Sequence, residues 1–167
     1  MKYRLVVVAP TANEVIQYAG GLVFDRGMAG WDVTVLVQDD PSARALQILG
    51  AHTVDFDQGF QWRGYGFHPQ AVVTAGSLYE RDDRVREGVQ QILGDGETEV
   101  TLFGDSLPSG LDKQIGTVRH RLSVAARAFK AQALAAASLP TETAGVAEMF
   151  RCSKTRSWCG LSDLVPA

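Results

Sequence analysis

One run near the start of this 167-residue chain constrains its fold most: Leu5-Val6-Val7-Val8-Ala9 is apolar at every position. Side chains along a strand point alternately to opposite faces, so a strand of this kind needs apolar cover on both faces. Helices packed on both sides of a parallel sheet supply that cover. The residues that follow agree. Thr11, with Glu14 three residues on, spells a capping box, and Val15, Ala19, Leu22, Val23 and Met28 recur near helical spacing toward Gly27 and Gly30.

The alternation continues. After the first strand, Tyr3 to Ala9, the pattern predicts a second from Trp31 to Gln38. A helix over Ser42–Leu49 follows, opened by Pro41 and stopped by Gly50, and then a short strand over His52–Phe56. Residues 58–69 break the pattern and are too few for a standard helical crossover. A fourth strand is expected at Ala71–Ala75. A second capping box, Ser77 with Glu80, opens a helix to about Leu93, and a fifth strand spans Glu99–Phe103. Beyond the loop Gly104–Pro108, Ser109 and Asp112 cap a predicted long helix to about Ser138. Its stripe is Leu111, Ile115, Val118, Leu122, Ala125 and Phe129, in steps of four and three.

The expected fold is therefore α/β: a three-layer, doubly wound, mainly parallel five-stranded sheet, Rossmann-like or flavodoxin-like, with a long C-terminal helix and an irregular tail. Strand orders 3-2-1-4-5 and 2-1-3-4-5 both remain open. Residues 1–138 form the single domain, and 139–167 a tail packed on it or flexible.

Apolar residues make up 46% of the chain and charged residues 21%, as in globular proteins. No stretch approaches the roughly 20 apolar residues of a membrane span, and the N-terminal run is too short for a secretory leader, so a cytoplasmic protein is expected. The two cysteines, Cys152 and Cys159, lie close together near the end, which suits free thiols and neither a disulfide scaffold nor a metal site. Net charge is −3, unevenly placed. Residues 1–110 hold 8 basic against 15 acidic side chains, and residues 111–167 hold 8 against 4. The basic residues of the predicted helix 111–138 (Lys113, Arg119, His120, Arg121, Arg127 and Lys130) lack aromatic interleaving and sit beside an acidic body, so nucleic acid is not the expected partner. Phe129 and the alanine-rich run 131–137 make that helix a candidate homodimer seam.

Ligands of open α/β sheets bind outside the carboxyl ends of the strands. That rule selects five loops: Pro10–Asn13, with Thr11 at the first helix N-terminus, Asp39–Asp40, Asp57–Gly59, Gly76–Ser77 and Gly104–Ser109. Asp39, Asp40, Asp55, Asp57 and Asp105 are candidates to converge on one edge. Segment 58–69, with Trp62, Arg63, Tyr65 and Phe67, offers aromatic faces and a cation for a base, a sugar or a partner side chain.

Three resemblances bear on function. Ala9, Asn13-Glu14-Val15, Gly20-Gly21 and Gly30-Trp31-Asp32-Val33-Thr34-Val35 resemble the start of the zinc-dependent LmbE/PIG-L de-N-acetylases. Where that family reads His-Pro-Asp-Asp-Glu, this chain reads Pro10-Thr11-Ala12-Asn13-Glu14. The ligand histidine and both aspartates are absent, which implies that zinc chemistry is absent as well. Gly104-Asp105-Ser106-Leu107 is similar to the signature of GDSL hydrolases and implies Ser106 as a nucleophile. The family's Gly-x-Asn-Asp block and late Asp-x-x-His are missing, and no base is evident. Asp57 and Thr74-Ala75 resemble the acceptor and threonine of receiver domains, without the acidic pair that holds Mg²⁺.

With no complete catalytic set, the expectation is a non-catalytic binding or regulatory module that engages a partner protein or small anionic ligand at the carboxyl edge, with no metal and no identified cofactor. The alternatives are a small hydrolase using Ser106 and a nucleotide-binding protein without standard fingerprints.

Overall fold

A computed structural model describes residues 2–39, 43–61, 68–105, 115–153 and 164–166. The first five strands fall where the apolar pattern predicts and alternate with helices, one of which is a correction: Phe56–Gln61 is helical where the pattern ends a strand at Phe56 and breaks from residue 58. These elements are β1 (Arg4–Thr11), α1 (Ala12–Met28), β2 (Asp32–Asp39), α2 (Ala43–Ile48), β3 (His52–Asp55), α3 (Phe56–Gln61), β4 (Ala71–Ala75), α4 (Gly76–Arg81), α5 (Asp83–Asp95) and β5 (Glu99–Phe103). Then come β6 (Ile115–Arg121), α6 (Val124–Ala136), a 3₁₀ turn at Thr141–Ala144, β7 (Ala147–Ser153) and β8 (Leu164–Pro166).

The fold is α/β with a mixed sheet in the order β3-β2-β1-β4-β5-β7-β6-β8. Strands β1 to β5 pair in parallel, so 3-2-1-4-5 is the order observed among them. The expectation of a mainly parallel five-stranded sheet is corrected beyond β5: β7 pairs antiparallel with β5 and β6, and β6 pairs antiparallel with β8. Helices α1, α2 and α6 pack together on one face, while α3 lies against β2 and β3, and α5 against β5. No helix among the described residues is long and apolar enough to cross a membrane.

The predicted long helix is the largest correction. Residues 115–121 are a strand, and the helix runs only from Val124 to Ala136, capped by Ser123, whose hydroxyl accepts from the Ala126 N–H at 3.0 Å. A homodimer seam along one helix over 111–138 therefore has no such helix to rest on. Phe129, named for that seam, stacks on Phe24 of the same chain at 4.6 Å between centroids. The helical stripe was a coincidence of spacing. Over Thr117 to Arg121 burial alternates with period two, with Val118 and His120 inside. A histidine in the inward register hid that alternation. It is buried because its Nε2 lies 2.9 Å from the Asp25 carboxylate of α1.

The helix predicted from Ser77 to Leu93 is also interrupted. Asp82 is extended (φ −114°, ψ 113°) and its carboxylate accepts from the Arg84 N–H at 2.9 Å, ending α4 and capping α5. Ser77 lies inside α4 and does not cap it. Gly50, expected as the stop of α2, has φ 78°, a backbone conformation that suits glycine.

Two buried groups join the layers. Glu148 on β7 and Lys130 on α6 pair at 2.7 Å with both side chains 2% exposed. The carboxylate also accepts from the Gly21 and Leu22 N–H groups of α1 at 2.8 and 2.7 Å, and Lys130 Nζ donates to the Gln17 carbonyl at 2.7 Å. Gly21 also makes room for Leu122: a Cβ there would lie 2.3 Å from Leu122 Cγ. Cys152 is a free, buried thiol that donates to Glu99 Oε1 at 3.2 Å; Cys159 lies outside the described residues.

Candidate active site at the carboxyl edge

The winding direction reverses between β1 and β4, the position at which open α/β sheets bind ligands beyond the carboxyl ends of their strands. β1 ends at Thr11, whose Oγ accepts from the Glu14 N–H at 3.2 Å and starts α1. That is half of the predicted capping box, and it places Glu14 in the first helical turn. Tyr18, one turn further on, donates its hydroxyl to Asp105 Oδ2 at 2.8 Å, just beyond β5. Arg81 closes α4 on the β4 side. Residues after β1, β4 and β5 thus border one end of the sheet.

Burial pushes the Glu14 carboxyl above its usual value of 4.5, and the positive charge of Arg81 draws it partly back. The bond to Asp105, then burial and the negative charges of Asp105 and Glu14, push the Tyr18 phenol above its usual 10.0. A carboxyl whose affinity for protons is raised, with a guanidinium in its field, is a group suited to proton transfer.

Of the predicted aspartates, Asp55, Asp57 and Asp105 each have a separate partner. Asp55 caps α3, accepting from the Asp57 and Gln58 N–H groups at 3.0 and 3.2 Å. Asp57 is exposed and paired with Arg84 at 2.7 Å. Asp39 ends β2 beside Thr11 in the strand register. Trp62, Arg63, Tyr65, Phe67, Asp40 and Ser106 lie outside the described residues. Sequence reasoning treated Glu14 only as a cap and passed over Tyr18, although their spacing of four places both on one side of a helix.

The zinc implied by the LmbE/PIG-L resemblance does not fit these residues. Pro10 and Ala12 carry no donor atom, Asn13 has a neutral amide, and no group of three or more His, Cys, Asp or Glu side chains that could hold a metal exists among the described residues.

No protein-family model matches the chain, and no curated protein matches it at a significant level. Solved structures do resemble it. The A40926 pseudoaglycone deacetylase Dbv21 superposes with a TM-score of 0.63 at 13% identity, covering 95% of this chain and 100% of that one. The N,N'-diacetylchitobiose deacetylase of Pyrococcus horikoshii gives 0.55 at 12%, covering 89% and 83%. GalB, the 4-carboxy-2-hydroxymuconate hydratase of Pseudomonas putida KT2440, gives 0.57 at 14%, covering 92% and 95%. The likeness is one of fold. The expectation of a non-catalytic, regulatory or ligand-binding module is corrected by the finding that deacetylases, which are enzymes, recur among the proteins that share this fold.

Proposed function

We propose that this chain is a hydrolase of acyl bonds, an amide or ester such as an N-acetyl group, working beyond the carboxyl ends of β1 and β4 with Glu14 as the proton-transferring group. The observation that carries the proposal is Glu14 itself. It is the one residue of the His-Pro-Asp-Asp-Glu stretch that this chain retains, it stands in the first turn of α1 just after β1 in a fold that deacetylases use, and burial raises its proton affinity. In the ionised form its carboxylate takes a proton from water as the oxygen attacks the acyl carbonyl. The charge developing on the carbonyl oxygen falls to Arg81. As the carbon–nitrogen or carbon–oxygen bond breaks, Glu14 returns the proton to the leaving amine or alcohol. No step passes through a metal.

The test is release of amine from an N-acetyl amino sugar and of nitrophenol from 4-nitrophenyl acetate. Glu14→Gln lowers kcat about 100-fold or more, and activity survives a chelator. Loss of activity in Ser106→Ala with Glu14→Gln unaffected sinks the proposal in favour of a GDSL-type serine.

A further inference from the structure

A doubly wound sheet ordinarily covers its β3-to-β4 side with a full crossover helix. Here, among the described residues, α3 spans Phe56–Gln61 and lies over β2 and β3, and α5 packs on β5. Between them, over the middle of the sheet, lies a cavity of about 380 Å³. Val6, Val8, Leu36 and Val72 are its apolar sheet side, and Val89 and Ile92 of α5 form a wall. The gap is visible along β1: Val6 and Val8, which face it, are 7% and 6% exposed, against 1% and 0% for Leu5 and Val7 on the opposite face.

Thr74 lines the same cavity. It is fully buried, and its hydroxyl has no hydrogen-bond partner among the described residues. A buried hydroxyl left unpaired is destabilising, so such groups ordinarily find a partner. Asp95 and Glu97 are the charged exposed residues of the lining beside His68, which disfavours an anion. The volume is at the lower end for small-molecule sites and more than twice the roughly 150 Å³ that accepts benzene.

We infer that this cavity binds a neutral, mainly apolar molecule carrying one hydrogen-bonding group that pairs with the Thr74 hydroxyl. The site lies on the face of the sheet away from α1, so it does not depend on the hydrolytic reading of Glu14.

The test is a fluorescence titration with N-phenyl-1-naphthylamine, which is neutral, aromatic and carries one N–H. The intact chain binds one equivalent saturably. Val72→Phe, which fills the cavity, abolishes binding. Thr74→Val, which keeps the shape and removes the hydroxyl, weakens binding about fivefold and folds even if the larger substitution does not. The absence of saturable binding overturns the inference. So does an unchanged affinity in Thr74→Val.

Discussion

Replacing Lys130 by Met tests how the layers of this protein are joined. Met matches the length of the lysine stem but removes the cation that faces Glu148 and the donor to the Gln17 carbonyl, both at 2.7 Å. Glu148 keeps the Gly21 and Leu22 N–H groups but loses its counter-charge in a site where its side chain is 2% exposed. Breaking a buried pair in this way costs about 3–5 kcal/mol, which for a domain of this size is a fall in Tm of roughly 6–20 °C. Burial already raises the Glu148 carboxyl above its usual 4.5, with Lys130 drawing it back; without Lys130 the carboxyl rises further. A carboxyl raised in the folded state binds its proton more tightly there than in the unfolded chain. Stability is then greatest below 4.5 and falls as pH rises toward the folded-state value. The deficit of Lys130→Met is therefore smallest near pH 4 and largest near pH 8. Urea unfolding followed by circular dichroism at both pH values measures it, provided the slopes agree. Adding Glu148→Gln removes the stranded charge and recovers about 2 kcal/mol of the loss at pH 8. A deficit under about 1 kcal/mol, or one independent of pH, would refute the reasoning.

Gly21→Ala forces a Cβ to within 2.3 Å of Leu122 Cγ and should destabilise by about 1–3 kcal/mol, read from the urea midpoint. Glu99, raised above 4.5 chiefly by burial, makes the protein lose stability as pH climbs above that value; Glu99→Gln should flatten this part of the stability–pH curve, and an unchanged slope would remove Glu99 as its source. Asp105→Ala should lower the titration midpoint of Tyr18, followed by phenolate absorbance, because the bond to Asp105 is the largest cause raising it. If Glu14 is the base, kcat/KM should rise with pH through a limb lying above 4.5, and that limb should vanish in Glu14→Gln.

Local signals placed the first five strands well. The run Leu5 to Ala9 and the β-branched stretches at 33–37 and 71–75 can be buried on both faces only in a layered sheet, and each forms a strand of it. Thr11 as the start of α1 and Gly50 as the stop of α2 were legible for the same reason: a cap acts within three or four residues. The candidate site was legible only in part. Glu14 was readable as a capping residue, but its burial, and the meeting of Tyr18 with Asp105, 87 residues away, depend on strands that are distant in sequence.

The end of the chain was decided by tertiary structure alone. Over 111–130 the apolar spacing fits a helix, yet residues 115–121 become a strand because β7 supplies a partner for their backbone and Asp25 lets His120 turn inward. Nothing near residue 120 in sequence announces either. Glu148 looks like any surface carboxylate until Lys130, Gly21 and Leu22 close around it. Hydrophobic period and capping belong to a few adjacent residues and can be read from them. Strand pairing and the burial of charge are satisfied by groups scores of residues away, so they exist only once the chain has folded.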